Sequence, residues 1–283
     1  MPGPLARTHR NESGNLLREE PSSMKRTAII MLLIVCVVSL EFGCKKSRDK
    51  TRGKDGKKTA AACPAGMVSV PGGEFTMGCS DPANGTCFDD EKPAKAVKVK
   101  KFCMDKTEVT QKQYEKVMGS NPAYFKQCGA ECPVEQVTWT VARDYCKKAG
   151  KRLPTEAEWE RAARAGTDTR FSWGKAPVAE YAWFAESAAG ASQPVAQKKL
   201  NAYGLADMAG NVGEWAADCY DPLWYNRMPV DNPVNQTPDC PLHTVRGGSW
   251  MARTENSGNS DRSGFSTGMT TNFIGFRCAA DFK

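Results

Sequence analysis

After Gly166 the chain never settles into a helical period. Between residues 167 and 283, short apolar stretches are broken every few positions by Gly, Pro or Asn. Trp173, Trp183, Trp215, Trp224 and Trp250 are spread through this half. Large rings bring more apolar area to a core than any other side chain. The combination predicts a compact unit poor in regular structure, with these tryptophans as its packing anchors. No internal repeat occurs, and no second linker follows residue 62.

The half before Gly166 is more regular. "MVSVPGGEFTMG" (67–78) alternates apolar residues around a Pro-Gly-Gly turn, which predicts a hairpin. A period-2 strand begins near Ala96. Thr110 and Gln113 have capping-box spacing, Tyr114 and Val117 share a face, and Gly119 ends that helix. A second helix spans about Thr138 to Ala149, with Val141 and Tyr145 one turn apart and Gly150 as the stop. A third opens on the box Thr155/Glu158, turns Trp159, Ala162 and Ala163 inward, and is capped by Gly166.

The first 62 residues are addressed elsewhere than a core. Lys25 and Arg26 precede an apolar run, Ala28 to Leu40, that is too short for a membrane span of about 18 residues or more. Charge, short apolar core and then the small residue Gly43 read as a secretory signal over residues 24–43. Residues 1–23 are polar and unlike a signal n-region, so Met24 is the more natural start and 1–23 reads as a gene-start artefact or leader. Residues 45–62 carry eight Lys/Arg against two Asp and form a basic tether that cannot build a core. That tether and the leader account for the whole formal charge of +7, leaving residues 63–283 neutral. A neutral domain offers no electrostatic footprint for nucleic acid.

Cysteine usage agrees with export. Beyond Cys36 and Cys44, ten cysteines remain in residues 63–283, an even number that allows five disulfides in an oxidising compartment. Cys79 with Cys87, and Cys128 with Cys132, have the spacing to close short loops. Zinc competes for thiols, but there is no C-x-x-C, and His9 and His243 are the only histidines. Thiolate metal binding is not expected.

Several blocks then stand in a telling order: "VPGGEFTMG", "DKTEVTQKQYEKVM", "PVEQVTW", "AGKRLPTEAEWERAARAG", "NAYGLADMAGNVGEW", "VRGGSW" and "GFRCA". Together they resemble the sulfatase-modifying factor family, whose best-known members are formylglycine-generating enzymes. The resemblance covers residues 64–280 and implies one α+β domain, residues 63–283, related to the C-type lectin fold. "LEFGC" (40–44) separately resembles the lipobox of bacterial lipoproteins, although Glu41 is unusual there. It implies a lipid anchor on Cys44 as the mature N-terminus, and a bacterial envelope location, periplasmic or surface-facing. A protein or peptide partner in the envelope is expected with it.

The resemblance also gives the glycine-rich stretch at 201–215 a role. In the family this loop wraps calcium. Asp207 and Glu214 match carboxylate ligands, and Gly210 and Val212 match carbonyl ligands. Calcium takes six to eight oxygens at roughly 2.3–2.6 Å from a yielding loop, which suits this donor set. Read from the residues alone, Asp207 and Asn211 need only brace a turn. The family's other calcium site uses an Asn shortly before this loop. Here "YAWFAESAAGASQPV" (181–195) offers Trp183 near that place, so a second site is not expected. Cys146 and Cys278 match a disulfide of the family.

Where the family's oxidases carry their reactive cysteine pair, this chain reads "RGGSWMARTENSGNSDRSG" (246–264), and the matching positions are Ala252 and Ser257. A methyl group and a hydroxyl offer copper(I) no soft ligand, so copper is not expected. Ser257 would need a base to act as a nucleophile. His243 is the sole histidine past the signal, and it is expected at the surface. Three readings follow. The first is a calcium-stabilised, non-catalytic binding module. The second is an active formylglycine-generating oxidase with an unrecognised site, and the third a structural envelope lipoprotein.

Overall fold

The computed structural model describes residues 62–79 and 87–283. The signal, Cys44 and nearly all of the tether lie outside the described residues. Among the described residues, no helix is long and apolar enough to cross a membrane.

Three small sheets and four helices make an α+β domain. Strand β1 (Met67–Val70) pairs antiparallel with β4 (Phe102–Asp105), and β4 pairs antiparallel with the C-terminal β9 (Ala279–Asp281). Strand β2 (Gly73–Met77) pairs antiparallel with β3 (Lys95–Val99). The expected β1–β2 hairpin therefore does not form, and the single strand expected from Ala96 is two. The turn at Pro71–Gly72 is a corner that feeds two sheets. A Cβ on Gly72 would lie 2.9 Å from the Lys100 carbonyl carbon, so the corner rests directly on the Lys100–Lys101 backbone. Only glycine allows that approach.

Helices α1 (Gln111–Met118), α2 (Trp139–Lys148) and α3 (Glu156–Arg164) sit where the capping signals place them. Thr110 Oγ1 accepts from the Gln113 amide at 3.2 Å, while Gln113 Oε1 accepts from the Thr110 amide at 3.0 Å. Thr155 and Glu158 repeat the exchange at 3.1 and 2.9 Å. Each such cap is worth about 1 kcal/mol. The stop of α3 differs from expectation. Ala165, at φ 49°, is the left-handed residue that closes the helix, and Gly166 follows it.

The last sheet runs β7 (Arg262–Ser266), β6 (Leu242–Arg246), β5 (Gly213–Cys219), β8 (Ile274–Gly275), with only the β5–β8 pair parallel. A short helix α4 (Trp224–Arg227) lies between β5 and β6. Residues 167–212 contain neither strand nor α-helix, as the broken periodicity predicts.

The core has two large clusters. One sets α3 against β1–β4, and the other sets α1 and α2 against β5 and β8. Of the five expected tryptophan anchors only Trp215 is fully buried; Trp173, Trp183, Trp224 and Trp250 are half-buried. The other fully buried indole is Trp159, on α3.

All ten cysteines of the described residues are bonded. The pairs are Cys63–Cys103, Cys79–Cys87, Cys128–Cys132, Cys146–Cys278 and Cys219–Cys240. They include the pair that the family resemblance implies and the two short loops read from spacing.

Candidate functional site

The glycine-rich stretch Asn201–Trp215 enters β5 through a tight loop. Asp207 and Asn211 hold φ of 52° and 56°, a region that costs a residue with a Cβ about 1–2 kcal/mol. Such strain persists only where the surroundings over-determine it. Here Asp207 Oδ2 accepts the Ala196 amide at 2.6 Å, and Asn211 Oδ1 accepts the Gln193 amide at 2.9 Å. Gly210, at φ 75°, packs its α-carbon on the Trp183 backbone, where any Cβ would collide with the Trp183 carbonyl. Trp183 therefore contributes backbone to this loop. Its carbonyl also accepts the Asn211 amide at 2.8 Å.

Three buried carboxylates converge behind the loop. Glu214, at the start of β5, takes a bidentate contact from Arg277 at 2.6 and 2.7 Å, and Trp159 Nε1 at 2.8 Å. Arg277 also donates to the carbonyls of Ala206 and Asp207, at 2.9 and 3.1 Å. Glu108 accepts from Asn211 Nδ2 at 2.9 Å and from the Val212 amide at 3.2 Å. All four ionisable groups, Glu108, Asp207, Glu214 and Arg277, are buried. One guanidinium thus faces three carboxylates. Burial, then Asp207 and Glu214, pushes the Glu108 carboxyl well above its ordinary range, and burial raises Asp207.

No three acidic, Cys or His side chains of the described residues stand close enough together to hold a metal ion by themselves; three features of the loop nonetheless suit a hard cation that backbone carbonyls would share. The donors are all oxygens, as calcium requires. The carbonyls of Gly210 and Val212 accept no hydrogen bond among the described residues. The Glu214 carboxylate offers about four lone-pair positions, of which Arg277 and Trp159 use three. Sequence reasoning named Asp207, Gly210, Val212 and Glu214 but passed over Glu108 and Arg277. Both lie in quoted motifs, as charged residues inside apolar blocks ("DKTEVT", "GFRCA"). That placement was the available signal.

The positions of the missing cysteines bracket the 3-10 turn Thr254–Asn256. Ala252 packs against a small cluster of Phe171, Ala182, Phe184 and Ala209, and its carbonyl accepts the Ala185 amide at 3.0 Å. Ser257 is buried, and its hydroxyl donates to the Arg253 carbonyl at 3.1 Å. Among the described residues it has no partner that could act as a base. His243 is elsewhere and is not the surface residue expected. It is 6% exposed, stacks on Trp139 with ring centroids 3.6 Å apart, and faces Thr267 Oγ1 at 3.0 Å. Burial, then the Arg143 cation, lowers its pKa to about 4, so it is neutral at physiological pH. From His243 to Arg246 every residue of β6 is buried, and the polar residues among them (His243, Thr244, Arg246) gave the sequence no apolar run from which to read that burial.

Next to Ala252 in the chain, Trp250 and Met251 open onto the surface. Trp250 meets Phe125 edge to face at 5.4 Å, and Phe125 meets Tyr124 the same way at 5.0 Å. Tyr124 is 66% exposed and Met251 51%. Glu135, buried beneath, accepts both the Tyr124 and Phe125 amides, at 2.9 and 2.8 Å, and fixes this aromatic shelf.

The sulfatase-modifying factor enzyme 1-like domain matches residues 53–282. A formylglycine-generating enzyme of Streptomyces coelicolor is 29% identical, over 76% of this chain and 89% of that protein. The inactive C-alpha-formylglycine-generating enzyme 2 of Bos taurus is 29% identical, over 76% of this chain and 87% of that protein. Among solved structures, PvdO from Pseudomonas aeruginosa superposes with a TM-score of 0.68 at 28% identity, covering 76% of this chain and 94% of that one.

Proposed function

The chain belongs to the sulfatase-modifying factor family, and on that premise we propose that its domain is a non-catalytic binding module of the bacterial envelope, tethered by a lipid on Cys44 and stabilised by one calcium ion. The observation that carries this reading is the replaced pair. Ala252 and Ser257 stand where the family's oxidases hold their thiols, and every cysteine among the described residues is tied in a disulfide. Function resides in the site rather than the scaffold, so retention of the fold does not restore the chemistry. The name of the inactive bovine relative supports the same reading.

Binding is assigned to the aromatic shelf of Tyr124, Phe125, Trp250 and Met251. Exposed aromatic and Met side chains on a rigid backbone are the residue types that anchor protein and peptide partners. Calcium is assigned to Asp207, Glu214 and the carbonyls of Gly210 and Val212, with Glu108 as a third carboxylate beside them. The ion's contribution there is charge neutralisation and loop order, not reaction chemistry. Five disulfides support an oxidising compartment and hence export.

A second reading, an active formylglycine-generating oxidase, is favoured by identity to an enzyme of that name. One experiment separates the two. Purified, calcium-loaded protein is incubated with copper(I), oxygen, reductant and a peptide carrying C-x-P-x-R, and the peptide mass is followed. Unchanged peptide is expected. Conversion of cysteine to aldehyde above a no-protein control rejects the binding-module reading.

A further inference from the structure

The segment through which the chain enters the domain is seated at one end of it. Cys63 is bonded to Cys103 on β4. The Gly66 carbonyl accepts the Lys106 amide, just past β4, at 3.1 Å. Ala65 and Gly66 line one cleft with Lys116 and Val117 of α1, Tyr145 of α2, and Lys151. The entry segment thus lies against the end of β4, α1 and the turn that leaves α2. That turn is tied back to its helix, the Lys147 carbonyl accepting the Gly150 amide at 3.0 Å and the Cys146 carbonyl the Lys151 amide at 2.8 Å.

These same elements carry exposed lysines: Lys100 and Lys101 before β4, Lys106 after it, Lys116 on α1, and Lys147 and Lys148 on α2. Their acids are fewer and mostly engaged. Asp105 is held by Lys151 at 2.5 Å and Asp144 by Arg143 at 2.8 Å, which leaves Glu115 of α1. Residues 63–283 are neutral as a whole, so this cationic excess is matched by an acidic excess over the rest of the domain. A body whose charge is divided in this way is oriented by an external field. Protection of a sheet edge, a common use of exposed lysine, does not account for the pattern. Strand β4 is central, between β1 and β9, and Lys116, Lys147 and Lys148 lie on helices.

From this placement we propose that the entry end of the domain is a docking surface for a bilayer rich in anionic phospholipid headgroups. The charges are complementary, and the chain that joins the domain here is basic as well: residues 45–62 carry eight Lys/Arg against two Asp. Each lysine close to an anionic leaflet strengthens binding about fivefold, provided that it comes within a Debye length of about 8–10 Å. The proposal rests on the lipid-anchored reading to bring the domain to a bilayer, and adds which face meets it.

The test takes protein extracted from its own envelope into two sets of vesicles, phosphatidylcholine alone and equal parts phosphatidylcholine and phosphatidylglycerol. Lysines are acylated with a water-soluble reagent, and labelling rates are read by peptide mass. Lys101, Lys106 and Lys116 should label about fivefold or more slowly on the phosphatidylglycerol vesicles. Lys175, exposed beside Trp173 on a different loop, should label equally on both. Salt at about 1 M, where the Debye length is about 3 Å, should remove the difference. Lys106→Glu/Lys116→Glu should remove it at Lys101 in low salt; if that variant does not fold, the salt series on the parent decides. Equal rates at the three lysines on both vesicle sets overturn the proposal. So does slowing that salt leaves intact, or slowing that Lys175 shares. Failure of the anchor is told apart by the phosphatidylcholine set. Protein retained there but unprotected on phosphatidylglycerol keeps its anchor and overturns the docking surface. Protein washed from phosphatidylcholine yet protected on phosphatidylglycerol supports the docking surface and rejects the anchor.

Discussion

Helix α3 stands between two buried ionic clusters, and the two are built to opposite accounts. On one side Glu156 and Glu160, one turn apart, meet Arg164, Arg246 and Arg262. Arg262 grips Glu156 at 2.6 and 2.8 Å, and Arg246 reaches Glu160 at 2.6 Å and Glu156 at 3.3 Å. Asp218 adds a third carboxyl, whose pKa burial and Glu156 push up to about 8. Cations at least match ionised acids there. On the other side Trp159 donates to Glu214, in the cluster where Arg277 alone answers Glu108, Asp207 and Glu214. A buried charge is tolerated only when paired, so a cluster that its own side chains close is scaffold. One whose extra carboxyls, Glu108 and Asp207, are raised by burial for want of a second cation is where the proposed calcium ion would ionise them.

The largest expected effect concerns how each cluster is secured. Arg277 is fixed by its neighbour Cys278, bonded to Cys146 in α2 across a sequence separation of 132. Closing a loop of that size contributes about 4–5 kcal/mol in the chain-entropy model. The double substitution Cys146→Ser/Cys278→Ser should lower the unfolding free energy in denaturant by about that much. A loss below about 1 kcal/mol would mean that packing alone holds Arg277.

Next comes the closed cluster itself. Glu156→Ala strips Arg262 of both its carboxylate contacts and should cost about 3–4 kcal/mol, the penalty of leaving a buried charge unpaired. The loss should be the same in calcium and in chelator. A calcium-dependent loss would show that the two sides of α3 are one cluster and would break the comparison.

How far the sequence reaches differs between the same two regions. Capping boxes at Thr110 and Thr155 are local, and both helices begin where they predict. The glycine loop is local too, so its four candidate ligands stand together in the chain. What escapes is long-range. Glu108 meets Val212 across 104 positions, and Arg262 meets Glu156 across 106. No periodicity records such pairs. The expected hairpin at 67–78 fails for a related reason: the turn chemistry is right, but the strands find better partners in β3 and β4. His243 misleads because a half-polar ring on a strand reads as solvent-facing until its stack with Trp139 is seen.

Calcium tests the open cluster directly. Binding to the folded state alone stabilises by about 2.7 kcal/mol at one hundred times Kd. For a domain of this size that should raise the melting temperature by roughly 5–10 °C over chelator. Asp207→Ala should abolish the rise, and Glu156→Ala should keep it. Equal melting temperatures with and without calcium in the parent protein would leave the carboxylate excess without a cation.

The smallest effect isolates acid sensitivity that belongs to neither cluster. His243 is held neutral, its pKa lowered to about 4 from an unfolded value near 6.5. Below the unfolded value the unfolded chain binds the extra proton, so stability rises with pH through this window. The contribution is complete above about 6.5 and is lost as pH falls toward about 4. Full linkage would set the slope at about 1.4 kcal/mol per unit, and the solvent access left to the ring reduces the total to roughly 1–2 kcal/mol. His243→Phe retains a flat ring on Trp139 and removes the titration. The difference between parent and variant in denaturant midpoint should therefore shrink or reverse between pH 7 and pH 4.5, whatever the carboxylates of the two clusters do, because both proteins carry them. Parallel pH profiles for the two proteins would show that His243 takes up its proton without leaving its stack, and that the acid response of this domain comes from the clusters around α3.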